Sequence, residues 1–231
     1  EILGPGKGRK GAVWAAVRIP DDHVAVSANA PRIRKIDPAD KERFMASANV
    51  FTLAEELGLW SPESGEPFEF CTVYGSRSSL GSRRREWRAL SRIAPSLKLD
   101  PNAEHYPLSV KAEQKLGVPQ VLEIFRDTYQ GTPYDMTRSL VKIGKDGKAA
   151  PNPIANPFMS NDYLDAFNIT SERTIACKRA TYLQITQPRS WLPNPIGGVV
   201  WMGYDNPMTT PHTPFYIGIE QMPASYMVAG R

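Results

Sequence analysis

Residues 4–30 read GPGKGRKGAVWAAVRIPDDHVAVSANA, and the meaning given to the first eight decides which fold to expect. Gly6, Gly8 and Gly11 satisfy the pattern G-x-G-x-x-G, with Lys7, Arg9 and Lys10 beside them. A dinucleotide-binding loop needs a strand before it and a helix after it, because the phosphate rests on the helix N-terminus. Here only three residues precede Gly4, and the residues beyond Gly11 alternate. Val13, Ala15, Val17 and Ile19 stand against Trp14, Ala16 and Arg18, the period of a strand with two unlike faces. The phosphate-loop pattern fails too, since no Gly-Lys is followed by Ser or Thr. The glycine stretch is read as a turn.

Working outward, Pro20-Asp21-Asp22 is turn chemistry and HVAVSANA a second strand, so residues 12–29 are expected to form a β-hairpin. Asp37-Pro38 is a helix-start signal, with a helical stretch running unevenly toward Gly58 and Phe51, Ala54 and Leu57 on one face. Residues 61–82 are loop-like. Ser82 is expected to cap RRREWRALSRIA, which Pro95 closes and which buries Trp87, Leu90 and Ala94. Pro119 opens QVLEIFRDTYQ, closed by Gly131, with Val121, Leu122, Phe125 and Tyr129 at helical spacing. Residues 144–162 read as a surface excursion. The last third is mostly β, in RTIACKRATYLQITQ, GGVVWMGYD and TPFYIGIE. The class is α+β, in one domain over residues 1–231.

Composition narrows the function. With 41% hydrophobic and 23% charged residues, the chain groups with folded globular proteins, long enough for a sizeable core. No apolar run approaches a membrane span and no signal-peptide pattern opens the chain. A net charge of +4, spread with both signs interspersed, is not the concentrated basic face of a nucleic-acid binder. Two cysteines allow at most one disulfide, and the three histidines lack H-x-H or H-x-x-x-H spacing, so neither a disulfide scaffold nor a metal site is expected.

Three constellations could carry chemistry. RRREWR, residues 83–88, reads first as an exposed charged helix face, which the interleaved Glu86 and Trp87 suit. Alternatively, Arg84 and Arg88, four apart and on one side, could hold a substrate carboxylate. Cys177, His212 and Asp205 invite a Cys-His-Asp reading. Yet Cys177 falls in step with Ile175 on a strand pattern, with Lys178 and Arg179 aimed at the other face, so Cys177 and Cys71 are both read as structural thiols. Asn29, at a strand end, either caps a turn or donates its amide to an oxyanion; local reasoning leaves both open.

The order of segments adds a resemblance. GPGKGRKGAVWAAVRIPDDHVAVSANAPRI, GSRRREWRAL, FRDTYQGTPYDMT and SERTIACKRATYLQITQPRSWLPNPIGGVVWMGYD together resemble the dipeptidase A type of cysteine dipeptidases. These are N-terminal-nucleophile hydrolases, relatives of penicillin V acylase and bile salt hydrolase, and the likeness covers essentially the whole chain. It implies a four-layer αββα sandwich of largely antiparallel sheets. It also implies a nucleophilic N-terminal cysteine, exposed by removal of a leader, whose own α-amine is the base. No cofactor and no metal are implied, and the substrate is a small peptide. By this resemblance the chain is an internal segment: the nucleophile and the first strands lie upstream, and neither Cys71 nor Cys177 matches the nucleophile. Asn29 corresponds to the asparagine that helps hold the oxyanion. Arg88 resembles the arginine near the nucleophilic sulfur, with Arg84 the competing alignment. The expectation is a cysteine-type dipeptidase, against an N-acyl amide hydrolase or a non-catalytic peptide-binding subunit. The expected partners are the peptide and the missing N-terminal part of the protein or another chain, not nucleic acid or a membrane.

Overall fold

The computed structural model describes residues 1–4, 10–76 and 78–227. Residues 5–9, most of the glycine stretch, lie outside the described residues, and so does its reading as a turn. The chain divides into two compact units, Glu1–Lys115 and Leu116–Arg231. Helices and strands mix in both, and every strand pairing among the described residues is antiparallel.

In the first unit the alternation of the opening stretch decides the centre. Strand β2, Val13–Val17, buries Val13 and Ala15 and leaves Trp14 and Ala16 outward. It lies between β1, Ile2–Leu3, and β4, Phe44–Ala46, with Trp14 opposite Ile2 and Ala15 opposite Ala46. The expected hairpin of residues 12–29 does not form. Both edges of β2 are filled, so β3, His23–Ala25, pairs instead with β5, Ser109–Lys111. The helix expected from Asp37 is also replaced. The carboxylates of Asp37 and Asp40 accept the N–H groups of Ala39 and Arg43, both at 3.1 Å, and these side-chain bonds compete with a helix. The chain then runs into β4, and helix α1 is confined to Thr52–Glu56.

Val13 and Ala15 pack with Ile33, Ile36, Val50 and Phe70 in one core. Phe70, fully buried, opens helix α2, Phe70–Val73, and a side chain of that size contributes roughly 1.5–3 kcal/mol by burial. Helix α3, Leu80–Ile93, is the long element. Its N-cap is Ser79, not Ser82: the Ser79 hydroxyl accepts the Ser82 N–H at 3.2 Å. Trp87, Leu90 and Ala94 are buried as the spacing requires.

In the second unit, helix α4 covers Val118–Phe125 and ends well short of Gly131. Beyond it the Asp127 carboxylate takes the Tyr129 N–H at 2.7 Å, and Tyr129 turns to φ +68°, a conformation no helix continues through. Tyr129 is still fully buried, its hydroxyl donating to the Arg173 carbonyl at 2.8 Å. The excursion carries a small exposed ladder, β6, Val141–Ile143, with β7, Ala149–Pro151, before helix α5, Asn161–Ala166. The β-rich end is a three-stranded meander: β8, Tyr182–Pro188, then β9, Gly198–Tyr204, in the middle, then β10, Thr213–Tyr216. A short helix, α6, Asn194–Gly197, joins β8 to β9. The strand expected from Arg173 begins only at Tyr182. The segment before it is drawn onto the 127–129 turn, where Ala176 N–H donates to the Asp127 carbonyl at 3.0 Å.

Candidate active site

The first unit brings Asn29 and helix α3 together. After β3 the chain bends at residues 29–30 and runs without helix or strand to residue 36, burying Ala30, Arg32, Ile33 and Ile36. The carboxylate of Glu1 accepts the N–H groups of both Arg32 and Ile33, and the N–H groups of Phe70 and Cys71 donate to the Arg34 and Ile33 carbonyls. This segment therefore holds a fixed backbone path, and Asn29 stands at its start with an exposed side chain.

The partner of Asn29 is Arg85. An Nη2 hydrogen of Arg85 donates to the Asn29 side-chain oxygen at 2.8 Å, while its Nε donates to the Gly81 carbonyl at 3.0 Å. The Asn29 oxygen is thus used as an acceptor, and the donors of the side chain are on its amide nitrogen. An amide has two donor hydrogens there, the requirement for holding a developing oxyanion. The two arginines picked out by helical spacing are on the same helix as Arg85. Arg84 is buried and donates to the Asn102 side-chain oxygen at 3.0 Å; Arg88 is half-buried on the same helix.

The exposed charged face expected of RRREWR is not what forms. Glu86, between the arginines, is 2% exposed and pairs with Arg32 at 2.9 Å. The Trp87 indole is buried and donates to the Leu99 carbonyl at 2.8 Å, and Arg83 donates to the Ala103 and Ser78 carbonyls. Arg32 and Glu86 also line a cavity of about 380 Å³, together with Arg34, Cys71, Glu104 and His105. The Arg34 Nε donates to Glu69 at 2.9 Å on the same wall. Tyr106 also lines this cavity, its hydroxyl donating to the Asp100 carbonyl at 2.7 Å; burial pushes the phenol up to about 12, and the nearby Asp100 charge adds to it.

The Cys-His-Asp reading fails. Both ring nitrogens of His212 are buried without a hydrogen-bond partner among the described residues, so no Cys177–His212 pair exists. The His212 ring rests on Gly203, and burial, with the charge of Arg126, holds it below the usual histidine range. Cys177 is nevertheless not on a strand as expected. It is half-buried in a turn, on a pocket of about 300 Å³ in the second unit. Burial works against its thiolate, but the Arg173 side-chain hydrogen bond, the Arg179 and Ala180 backbone and the Arg173 charge outweigh it and lower its pKa. Cys71 goes the other way: burial raises it. No cluster of three or more His, Cys, Asp and Glu able to hold a metal exists among the described residues. Nor is any described helix long and apolar enough to cross a membrane.

The chain belongs to peptidase family C69, whose family model matches residues 1–230. Among similar proteins is a probable dipeptidase of Salmonella dublin, 29% identical over 214 residues, covering 90% of this chain and 43% of the relative. A probable dipeptidase of Latilactobacillus sakei is 27% identical over 216 residues, covering 92% of this chain and 40% of its own length. A probable dipeptidase B of Streptococcus pyogenes serotype M1 is 22% identical over 226 residues, covering 94% and 40%. The chain thus spans about two-fifths of the length of these relatives.

Proposed function

We propose that the whole protein is a cysteine-type dipeptidase in which these residues supply the oxyanion side of the site. The carrying observation is the Arg85–Asn29 contact, which occupies the Asn29 oxygen and leaves its amide to donate. The nucleophile in this reading is an N-terminal cysteine outside the chain, and the two units form part of one four-layer αββα domain. Family membership and relatives named as probable dipeptidases support the substrate class.

The thiol attacks the peptide carbonyl carbon and passes its proton to the α-amine, whose reference pKa near 8 suits transfer both ways near neutrality. The carbonyl electrons move to oxygen, and Asn29 Nδ2 donates to that oxyanion. Collapse expels the new amine, which takes the proton back from the ammonium, and leaves a thioester that water hydrolyses. Arg85 keeps Asn29 oriented and adds positive charge on the side where thiolate and product carboxylate form. Arg88, with Arg84 as the competing alignment, stays the arginine proposed near the nucleophilic sulfur, and Arg85 joins them as the arginine in contact with Asn29.

The test is a panel of free dipeptides against N-acyl amino acids, with the full-length protein. Preferred cleavage of free dipeptides is the expected result. Preferred cleavage of the acylated set would establish the N-acyl amide hydrolase, and no cleavage of either would establish a binding subunit.

A further inference from the structure

Glu86 is among the most buried charged residues described, and no step of the proposed reaction uses it. Its Oε1 accepts the Ala28 N–H at 3.2 Å, and its Oε2 pairs with Arg32 Nη1 at 2.9 Å. Arg32 in turn donates to the Val26 carbonyl at 2.7 Å and, through Nη2, to the Tyr106 and Pro107 carbonyls at 3.1 and 2.8 Å. The loop is thus pinned at Val26 and Ala28 before Asn29 and at Arg32 after it. Ser27 closes the turn by donating to the Ala30 carbonyl at 3.0 Å.

We infer that the buried Arg32–Glu86 pair is a positioning device that sets where the Asn29 amide points. The inference rests on the oxyanion reading of Asn29. An exposed side chain cannot be placed by packing, so its direction is fixed by its backbone and by what grips its far end. Adjacent residues of α3 provide both: Glu86 holds the loop backbone, and Arg85 holds the Asn29 oxygen. Core stability alone does not call for ions here, since a well-packed apolar pair serves as well or better. What an apolar pair lacks is an acceptor for the Ala28 N–H and a directed donor to the Val26 carbonyl. A catalytic donor displaced by about 1 Å can lose roughly 100-fold in rate.

The experiment uses the full-length enzyme and a dipeptide substrate, with Glu86→Gln and the double variant R32M/E86M, each alone and in an Asn29→Ala background. Unfolding is followed by circular dichroism. The expected result is that folded variants lose roughly 10- to 100-fold in kcat with little change in KM, and almost nothing further when Asn29 is already gone. Should Glu86→Gln not fold, R32M/E86M, which leaves no buried charge unpaired, carries the same comparison. Equal losses in both backgrounds, or wild-type kcat in the folded double variant, would overturn the inference. Wild-type kcat in Asn29→Ala alone would instead overturn the oxyanion reading, and the inference with it.

Discussion

At the scale of single residues, environment separates side chains that composition treats alike. The two thiols are both half-buried, yet Arg173 and its neighbouring backbone hold Cys177 low while burial holds Cys71 high. The thiolate reacts, and its fraction rises with pH through the pKa. Haloacetamide labelling followed by peptide mapping should therefore show Cys177 modified at lower pH than Cys71; the reverse order would refute the assignment. Asn29 entered as a candidate through the family resemblance, since its position near a strand end left a turn cap equally open. Arg85 was not legible, because spacing shows which arginines share a side of a helix but not which side meets a loop 56 positions away in sequence. Glu86 was missed for a related reason. Its partner Arg32 is equally ordinary in sequence, and only their joint burial marks the pair.

At the scale of elements, what was legible was local. The two-residue period of β2 and the apolar side of α3 depend on neighbours in sequence, and both form as read. Strand partners do not. The turn at Pro20–Asp22 forms, with His23 N–H donating to the Pro20 carbonyl at 2.9 Å, but β3 goes to β5 because β2 has no free edge. Close approach of elements is equally invisible beforehand, and Gly75 is an instance beside the candidate site. A Cβ there would stand 2.4 Å from the Cys71 carbonyl oxygen and 2.5 Å from Pro31, so the end of α2 meets the residue-31 turn only without a side chain. Gly75→Ala is expected to destabilise the first unit by about 1–3 kcal/mol, read as a lower urea midpoint. An unchanged midpoint would contradict this packing.

For the whole molecule, membership of the peptidase family was legible in the order of several segments, while the division at Lys115 and Leu116 was not. That division depends on the density of long-range contacts, which no local pattern encodes. Large apolar side chains stand open on the second unit, Trp191 and Ile217 about three-quarters exposed and Tyr182 and Tyr204 more than half. The reaction proposed for the whole protein turns on one atom of this chain, the Asn29 amide nitrogen. The most direct measurement is kcat and KM of full-length Asn29→Asp on a dipeptide, beside wild type. Aspartate keeps an oxygen for Arg85 and so keeps the loop, but has no amide donor. The expected outcome is a folded protein whose kcat falls about 100- to 1,000-fold with KM little changed; a wild-type kcat would show that Asn29 does not hold the oxyanion.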